Sequence, residues 1–285
     1  DFQINGKSAE IPANARAGGY ESFLLADEVS RYIKARDKNK PFFVYMPFIA
    51  PHTPLDAPKE LQEKYKDINT DLAPARSAQT DNTRRLSKLT FQGSARPMYA
   101  AVVDGMDQAI GDVLNTLDEE GITDNTIVLF FSDNGGAAYS VGGADNYPLK
   151  GGKGDTFEGG IRVPLVIRWK GHVDGDRWSN VPVDCNDIFP TVLDLAGYDL
   201  SDHIQPGGID GRSLTPLLDD PTNAKGEYPR DTFFWHYPLN VIVKNPADGL
   251  PSAPSSAVRS GDWKLIFDWS GALRLYNVSD DPYEK

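Results

Sequence analysis

Short continuous apolar runs constrain this chain more than any other feature. Phe42-Phe43-Val44-Tyr45-Met46-Pro47-Phe48-Ile49 and Ile127-Val128-Leu129-Phe130-Phe131 are rich in aromatic and β-branched residues and end in turn formers. Such runs, lacking polar alternation, predict strands buried on both faces of a parallel sheet. Val163-Pro164-Leu165-Val166-Ile167-Arg168-Trp169 is a third strand of this kind. Between the runs the apolar period lengthens to that of a helix. Phe23, Leu24, Val29, Tyr32 and Ile33 predict an amphipathic helix over 21–35. Tyr99, Val103, Met106, Ile110, Val113, Leu114 and Leu117 mark one face of a helix of about twenty residues, closed near Gly121. Another helix is expected over 188–196, with Pro190 in its first turn and Gly197 as its stop.

Strand, helix and strand in repeated order predict an α/β fold, with a mostly parallel sheet flanked by helices. After residue 220 the texture changes. Strand-like pieces at 257–259, 263–268 and 273–278 are separated by Ser260-Gly261-Asp262 and Ser270-Gly271, which predicts a small antiparallel subdomain. The expected division is therefore a partial α/β domain over 1–220 and a small C-terminal α+β subdomain over 221–285. Residues 66–97 are polar and irregular, with Arg76, Arg84, Arg85, Lys88 and Arg96, and are expected to form a long loop or insertion.

Composition narrows the classes of function. The 285 residues are 40% hydrophobic, enough for a sizeable core. Lys and Arg number 29 against 41 Asp and Glu, a net charge of −12, which argues against nucleic acid or an anionic membrane surface as partner. No apolar run approaches the roughly 18 residues needed to cross a bilayer as a helix. The single cysteine, Cys185, excludes an intramolecular disulfide framework and any multi-cysteine zinc site. It lies just before a predicted helix and is expected to be a small buried hydrophobe. The chain opens on Asp1 with no signal peptide and stops on Lys285, so it is read as a piece of something longer.

Three features could carry chemistry. Asp133-Asn134-Gly135-Gly136 follows directly on a predicted strand, and in open α/β sheets ligands bind outside the carboxyl ends of the strands. A carboxylate and an amide oxygen suit a hard cation such as Ca²⁺, with Mg²⁺ the second choice; Asn-Gly is equally a strong turn dipeptide. His52 stands at the corresponding end of the first run, between Pro51 and Pro54. An imidazole there could donate a proton to a leaving oxygen, or simply cap or pack. His172, His203 and His236 lie in polar or turn-rich surroundings and read as structural. The third feature is the glycine-rich stretch from Gly151 to Gly160, which carries Lys153 and Glu158. Glycines let backbone approach an anion and an ammonium supplies a point charge, although a plain surface loop has the same composition. A phosphate-binding P-loop is excluded, because Lys153 is followed by Gly154 rather than Ser or Thr. An acid, part of a metal site and an anion clamp together suit phosphoryl or sulfuryl chemistry. A nucleophile is missing.

His52 with Pro54, Ser132-Asp133-Asn134-Gly135-Gly136, Gly152-Lys153-Gly154-Asp155-Thr156-Phe157-Glu158-Gly159-Gly160-Ile161-Arg162-Val163-Pro164 and Asp187-Ile188-Phe189-Pro190-Thr191 resemble the type I sulfatases of the alkaline phosphatase superfamily. Trp263-Lys264-Leu265-Ile266 and the stretch from Leu275 to Glu284 resemble that family's closing antiparallel subdomain. The likeness runs in order from about residue 20 to the end. It implies an alkaline-phosphatase-like fold and hydrolysis of sulfate esters, of a sulfated carbohydrate or an aryl sulfate. It also implies that Asp133 and Asn134 are oxygen ligands of the cation, usually Ca²⁺, that Lys153 holds sulfate oxygens, and that His52 lies near the ester oxygen. The family's nucleophile is a formylglycine made within Cys/Ser-x-Pro-x-Arg, and that sequence does not occur here. The resemblance thus implies that an N-terminal part, in the same protein or as a second chain, supplies it, and that this chain alone is inactive. Export, to a periplasm, the extracellular space or a lysosome, is the family's habit.

Trp235 and His236 could line a sugar subsite, since aromatic faces stack on sugars; core packing is the other use of such a cluster. Two alternatives stand beside the sulfatase: a phosphatase or phosphonate hydrolase of the same superfamily, and a non-catalytic relative that binds sulfated glycans. Four histidines leave little for a two-zinc site, which weighs against the first. The presence of His52, Asp133 and Lys153 together weighs against the second.

Overall fold

A computed structural model describes residues 3–4, 6–68, 95–137, 143–198, 208–239 and 254–285. Most of the loop expected at 66–97, and His203, lie outside the described residues. After a two-residue β1 (Gln3–Ile4) paired with β2 (Lys7–Ser8), the chain enters α1 (Glu21–Ala35). The short α2 (Lys59–Tyr65) and the long α3 (Arg96–Glu119) complete a helical layer. Ala26 and Ala109 are fully buried where α1 meets α3, and Phe23 packs over them. Side chains this small let the two helices approach closely. Thr116 Oγ1 donates across the same interface to Ser30 Oγ at 3.0 Å. Leu61 of α2 packs with Ala101 and Val102 of α3, closing a second patch with Leu55 and Ala57.

The run at 41–49 is extended but pairs in no ladder among the described residues. Its even-numbered residues, among them Met46 and Phe48, pack against α1 and α3. Phe43, Tyr45 and Ile49 point the other way and are 71%, 72% and 59% exposed. Burial on both faces, as the sequence predicts, is therefore not what the described residues give; helices cover one face only. The other two strands, β3 (Val128–Phe131) and β4 (Leu165–Arg168), pair antiparallel, Phe131 opposite Leu165. They therefore contribute no parallel ladder to the sheet, because the connection between them returns without a crossover helix. Among its described residues it carries only the one-turn α4 (Glu158–Ile161).

Beyond β4 lie α5 (Ile188–Leu195) and α6 (Thr215–Asp219). Asp187 is fully buried between them and accepts hydrogen bonds from the backbone N–H of Asp184 and Arg212, from Tyr228 Oη and from Arg230 Nη1. Four donors on one carboxylate satisfy its charge without water. Leu214, Leu217 and Tyr228 pack beside it onto Leu165 and Ile167 of β4.

The chain closes in an antiparallel sheet in the order β5 (Thr232–Tyr237), β6 (Ser255–Ser260), β7 (Trp263–Asp268), β8 (Leu273–Asn277). The C-terminal antiparallel sheet was legible in the sequence, apart from its first strand. Because side chains alternate across a sheet, Ala257, Ile266, Trp235 and Tyr276 face inward and pack on Phe157. Phe234, Leu273 and Leu275 face outward and are exposed.

Candidate functional site

The site is built where two turns touch backbone to backbone. The turn after β3 donates from Gly135 N to Gly160 O at 2.9 Å, and Lys153 N donates to Gly136 O at 3.1 Å. Asn146 fastens them from a third side: its Oδ1 accepts from Gly136 N at 2.9 Å, while its Nδ2 donates to Gly136 O at 2.8 Å and Gly151 O at 3.1 Å. Glycine is required at the contact. A Cβ on Gly135 would sit 1.8 Å from Gly159 O, and one on Gly160 would sit 2.3 Å from Asp155 O. These bonds bring Asp133, Asn134 and Lys153 together on one side of the fold.

Lys153 is half-buried, and among the described residues its ammonium has neither a hydrogen bond nor a carboxylate within ion-pair range. Asp155 shapes the loop instead of pairing with it: its carboxylate accepts from Gly152 N at 2.9 Å and Phe157 N at 3.0 Å. Burial pushes the Asp155 carboxyl up to about 7, against the pull of those two N–H groups. At the base of the loop, Glu158 is buried and meets Lys264 Nζ at 2.9 Å. Lys264 also meets Glu284 at 2.8 Å, and Glu284 in turn accepts from Glu158 N at 2.7 Å. Burial pushes the Glu284 carboxyl up, with the Lys264 ammonium acting the other way.

Asp133 is exposed, with no hydrogen-bond donor on its carboxylate among the described residues. Asn134 uses its Nδ2 on Gly135 O at 3.3 Å, which leaves its Oδ1 open. Two open oxygens on one exposed turn fit a hard divalent cation by donor chemistry. They are too few to hold one unaided, and no group of three or more His, Cys, Asp or Glu side chains able to hold a metal occurs among the described residues.

His52 lies at the end of the extended run, in a tight turn where its N–H donates to Ile49 O at 2.8 Å. The exposed imidazole has Nδ1 2.6 Å from Thr53 O, which fits an Nδ1–H donor and turns Nε2 to solvent. Among the described residues, no hydrogen bond ties His52 to the Lys153 loop. Trp235 and His236, adjacent on β5, face opposite sides: Trp235 packs inward toward Phe157, and His236 Nδ1 lies 2.9 Å from Ser256 Oγ on the outer face. An open cavity of about 410 Å³ there is bordered by Trp235 and His236 together with Phe234, Ser256, Leu265 and Phe267 among others. Cys185 is exposed rather than buried, because its 3₁₀ turn carries the side chain outward. Partial burial and then the Asp184 carboxylate push its thiol up, away from a reactive thiolate. His172 stacks on Trp169 at 4.1 Å, a structural role.

Sequence reasoning missed Asn146, Lys264 and Glu284. A signal existed for Lys264: in the alternation of Trp263-Lys264-Leu265-Ile266 it shares a face with Ile266, a core residue.

A family model described as Sulfatase matches residues 2–198, and one described as N-sulphoglucosamine sulphohydrolase, C-terminal, matches residues 153–285. A protein named Sulfatase from Formosa agariphila is 33% identical over 274 residues, 90% of this chain and 44% of that protein. Among solved structures, Ps i-CgsB in complex with k-i-k-neocarrahexaose superposes with a TM-score of 0.75 at 28% identity, over 99% of this chain and 52% of that one. The phosphonate monoester hydrolase of Agrobacterium radiobacter superposes with a TM-score of 0.66 at 27% identity, over 96% of this chain and 57% of that one. The chain thus spans about half the length of the proteins it matches, and it shares their alkaline-phosphatase-like α/β fold.

Proposed function

This chain belongs to the sulfatase family, and from that premise we propose that it is the part of a sulfuric ester hydrolase that clamps the sulfuryl group and protonates the departing alcohol. The observation that carries the reading is Lys153, a half-buried cation with no partner among the described residues, held by backbone bonds beside the open oxygens of Asp133 and Asn134. An ammonium with no partner among the described residues has an anion as its natural complement.

Each residue then has a task. Lys153 binds and orients the sulfuryl oxygens, and its charge offsets what accumulates on them as the ester bond breaks. Asp133 and Asn134 supply two ligands to a divalent cation, Ca²⁺ by preference of the donor set and Mg²⁺ otherwise. Such a cation would supply positive charge to offset that of the sulfuryl oxygens. His52, with Nδ1–H on Thr53 O, would present Nε2 to the ester oxygen and, as the imidazolium, give its Nε2 proton to the leaving alcohol, returning to the neutral Nδ1–H form. Because the 285 residues contain no Cys/Ser-x-Pro-x-Arg, a formylglycine nucleophile would come from residues outside them. The substrate is a sulfated carbohydrate or an aryl sulfate. A carbohydrate is favoured by the likeness to Ps i-CgsB, which was solved with an oligosaccharide. Trp235 and His236, which border one open cavity, are the sugar contacts in this reading. Residues 1–220 form the partial catalytic domain and 221–285 the subdomain that buttresses it. The family's habit supports export; no helix among the described residues is long and apolar enough to cross a membrane.

The test uses the natural gene product that contains this chain, its intact mass measured first. Release of sulfate from para-nitrophenyl sulfate and from sulfated oligosaccharides, with a phosphonate monoester as the competing substrate, is expected to fall at least about a hundred-fold in Lys153→Ala. Full activity in that variant, or a preference for the phosphonate, would overturn the assignment.

A further inference from the structure

The loop that presents Lys153 is stapled at both ends to a buried charge cluster formed by residues far along the chain. At its start, Lys150 Nζ donates to the Glu284 carbonyl at 3.0 Å and lies 4.6 Å from the Phe157 ring centroid. At its end, Glu158 N donates to the Glu284 carboxylate at 2.7 Å. The ends are tied to each other by Gly159 N to Lys150 O at 2.7 Å. Beneath all three sits Lys264, fully buried on the inward face of β7, bridging Glu158 at 2.9 Å and Glu284 at 2.8 Å. Thr156 Oγ1, 3.1 Å from Ser255 Oγ, adds a further tie to the same sheet.

The chemistry of the cluster exceeds what packing requires. A buried ion group is costly to desolvate, and a well-packed apolar trio would hold a sheet against a loop at least as well. What charge adds is direction: three bonds converging on fixed atoms leave the loop one register. The constraint travels by covalent and hydrogen bonds, from Glu158 through Gly160 O to Gly135 N, and from Gly152 to Lys153 N on Gly136 O. The same staple therefore holds the backbone from which Lys153 reaches out against the turn that carries Asp133 and Asn134.

We propose that Lys264, acting through Glu158 and Glu284, is a positioning residue that fixes the reach of Lys153 toward the sulfuryl group. The inference rests on the reading that Lys153 binds that group. It assigns to the C-terminal sheet a part in anion affinity, not only in stability.

The experiment measures kcat, KM and the inhibition constant of inorganic sulfate in the natural gene product and in Lys264→Met, Glu284→Gln and Lys153→Ala. A role confined to stability lowers the amount of folded enzyme, and so apparent kcat, but leaves KM and the sulfate constant of the folded fraction untouched. Positioning predicts that both constants rise, by about ten-fold or more in Lys264→Met and by less in Glu284→Gln, which keeps the volume and one acceptor. If Lys264→Met does not fold, Glu284→Gln decides alone. Unchanged constants in a folded variant, with Lys153→Ala inactive, would overturn the positioning role while leaving the function intact. An active Lys153→Ala would overturn the functional reading itself.

Discussion

Gly135→Ala adds one methyl group at the point where the two turns of the site touch. An ideal Cβ there lies 1.8 Å from Gly159 O, 2.8 Å from Gly159 C and 3.0 Å from Gly160 Cα, all backbone atoms that no rotamer change can move. Ordinary contact begins near 3.4 Å, so the turns must part by roughly 1.5 Å in a region packed at interior density. That separation breaks Gly135 N to Gly160 O and loosens Lys153 N to Gly136 O. Each bond is worth about 1 kcal/mol net, and forcing an extra carbon into a filled space costs about 1–3 kcal/mol. The total is about 3–5 kcal/mol, which for a chain of this size lowers Tm by roughly 10 °C. Catalysis suffers separately, because a displacement of about 1 Å between binding groups can cost about 100-fold in rate. Thermal melting and sulfate release are the assays, with Gly175→Ala as control, since a Cβ there meets nothing within 4 Å. A Gly135→Ala protein that melts with the wild type and keeps more than half its kcat/KM would refute the proposed packing of the two turns.

The remaining predictions concern groups whose charge the fold manages. Asp155 has its carboxyl raised by burial from 3.8 to about 7, so the folded protein holds a proton that the unfolded chain has already lost between those values. Its contribution to stability therefore falls as pH rises from about 4 to about 7. In chemical denaturation across that range, Asp155→Asn is expected to lose this part of the slope; an unchanged slope would contradict the burial argument. Asp187→Asn turns an amide N–H₂ against two of its four donors and leaves Arg230 short of its closest carboxylate. A cost of about 3–5 kcal/mol follows, read as a lower denaturation midpoint. None of Asp187's partners lies in 133–160, so KM should stay within two-fold, and a larger change would show coupling that these contacts do not contain.

What the sequence concealed can be traced to particular residues. The two long helices were legible because Phe23, Leu24, Val29, Tyr32 and Ile33 in the first, and Val103, Met106, Ile110, Val113 and Leu117 in the second, recur at a period that only a helix puts on one face. The run at 42–49 was not, because both faces are apolar: Phe42, Val44, Met46 and Phe48 read no differently from Phe43, Tyr45 and Ile49. Which face is covered depends on helices elsewhere in the chain. Trp235 and His236 alternate across β5, yet both border the same open cavity. Cys185 followed the average burial of its residue type and was overridden by the outward direction of a single 3₁₀ turn. The glycine block carried the most information, since close backbone approach demands glycine and leaves a visible trace. Its partners Asn146 and Glu284 left none, because one amide and one carboxylate are indistinguishable from surface residues until the fold closes over them.

The two lysines near the site separate function from architecture by how their charges are met. Lys264 is wholly buried, and two carboxylates within 3 Å neutralise it. Such an ammonium is already satisfied and has no capacity left for a ligand. Lys153 is half-buried and, among the described residues, has no partner, in a chain carrying a net charge of −12. Among the described residues, keeping the neighbouring carboxylates off this cation requires a specific arrangement. Here that is done with backbone: Asp155, the nearest carboxylate in sequence, is turned onto the N–H groups of Gly152 and Phe157, and Glu158 is held by Lys264. The acidic groups that would otherwise quench Lys153 are thus occupied in shaping its loop. On the proposed reading, an incoming sulfate ester would meet a positive charge that the fold already holds in place. That is the physical reason to place anion binding at Lys153 and support at Lys264.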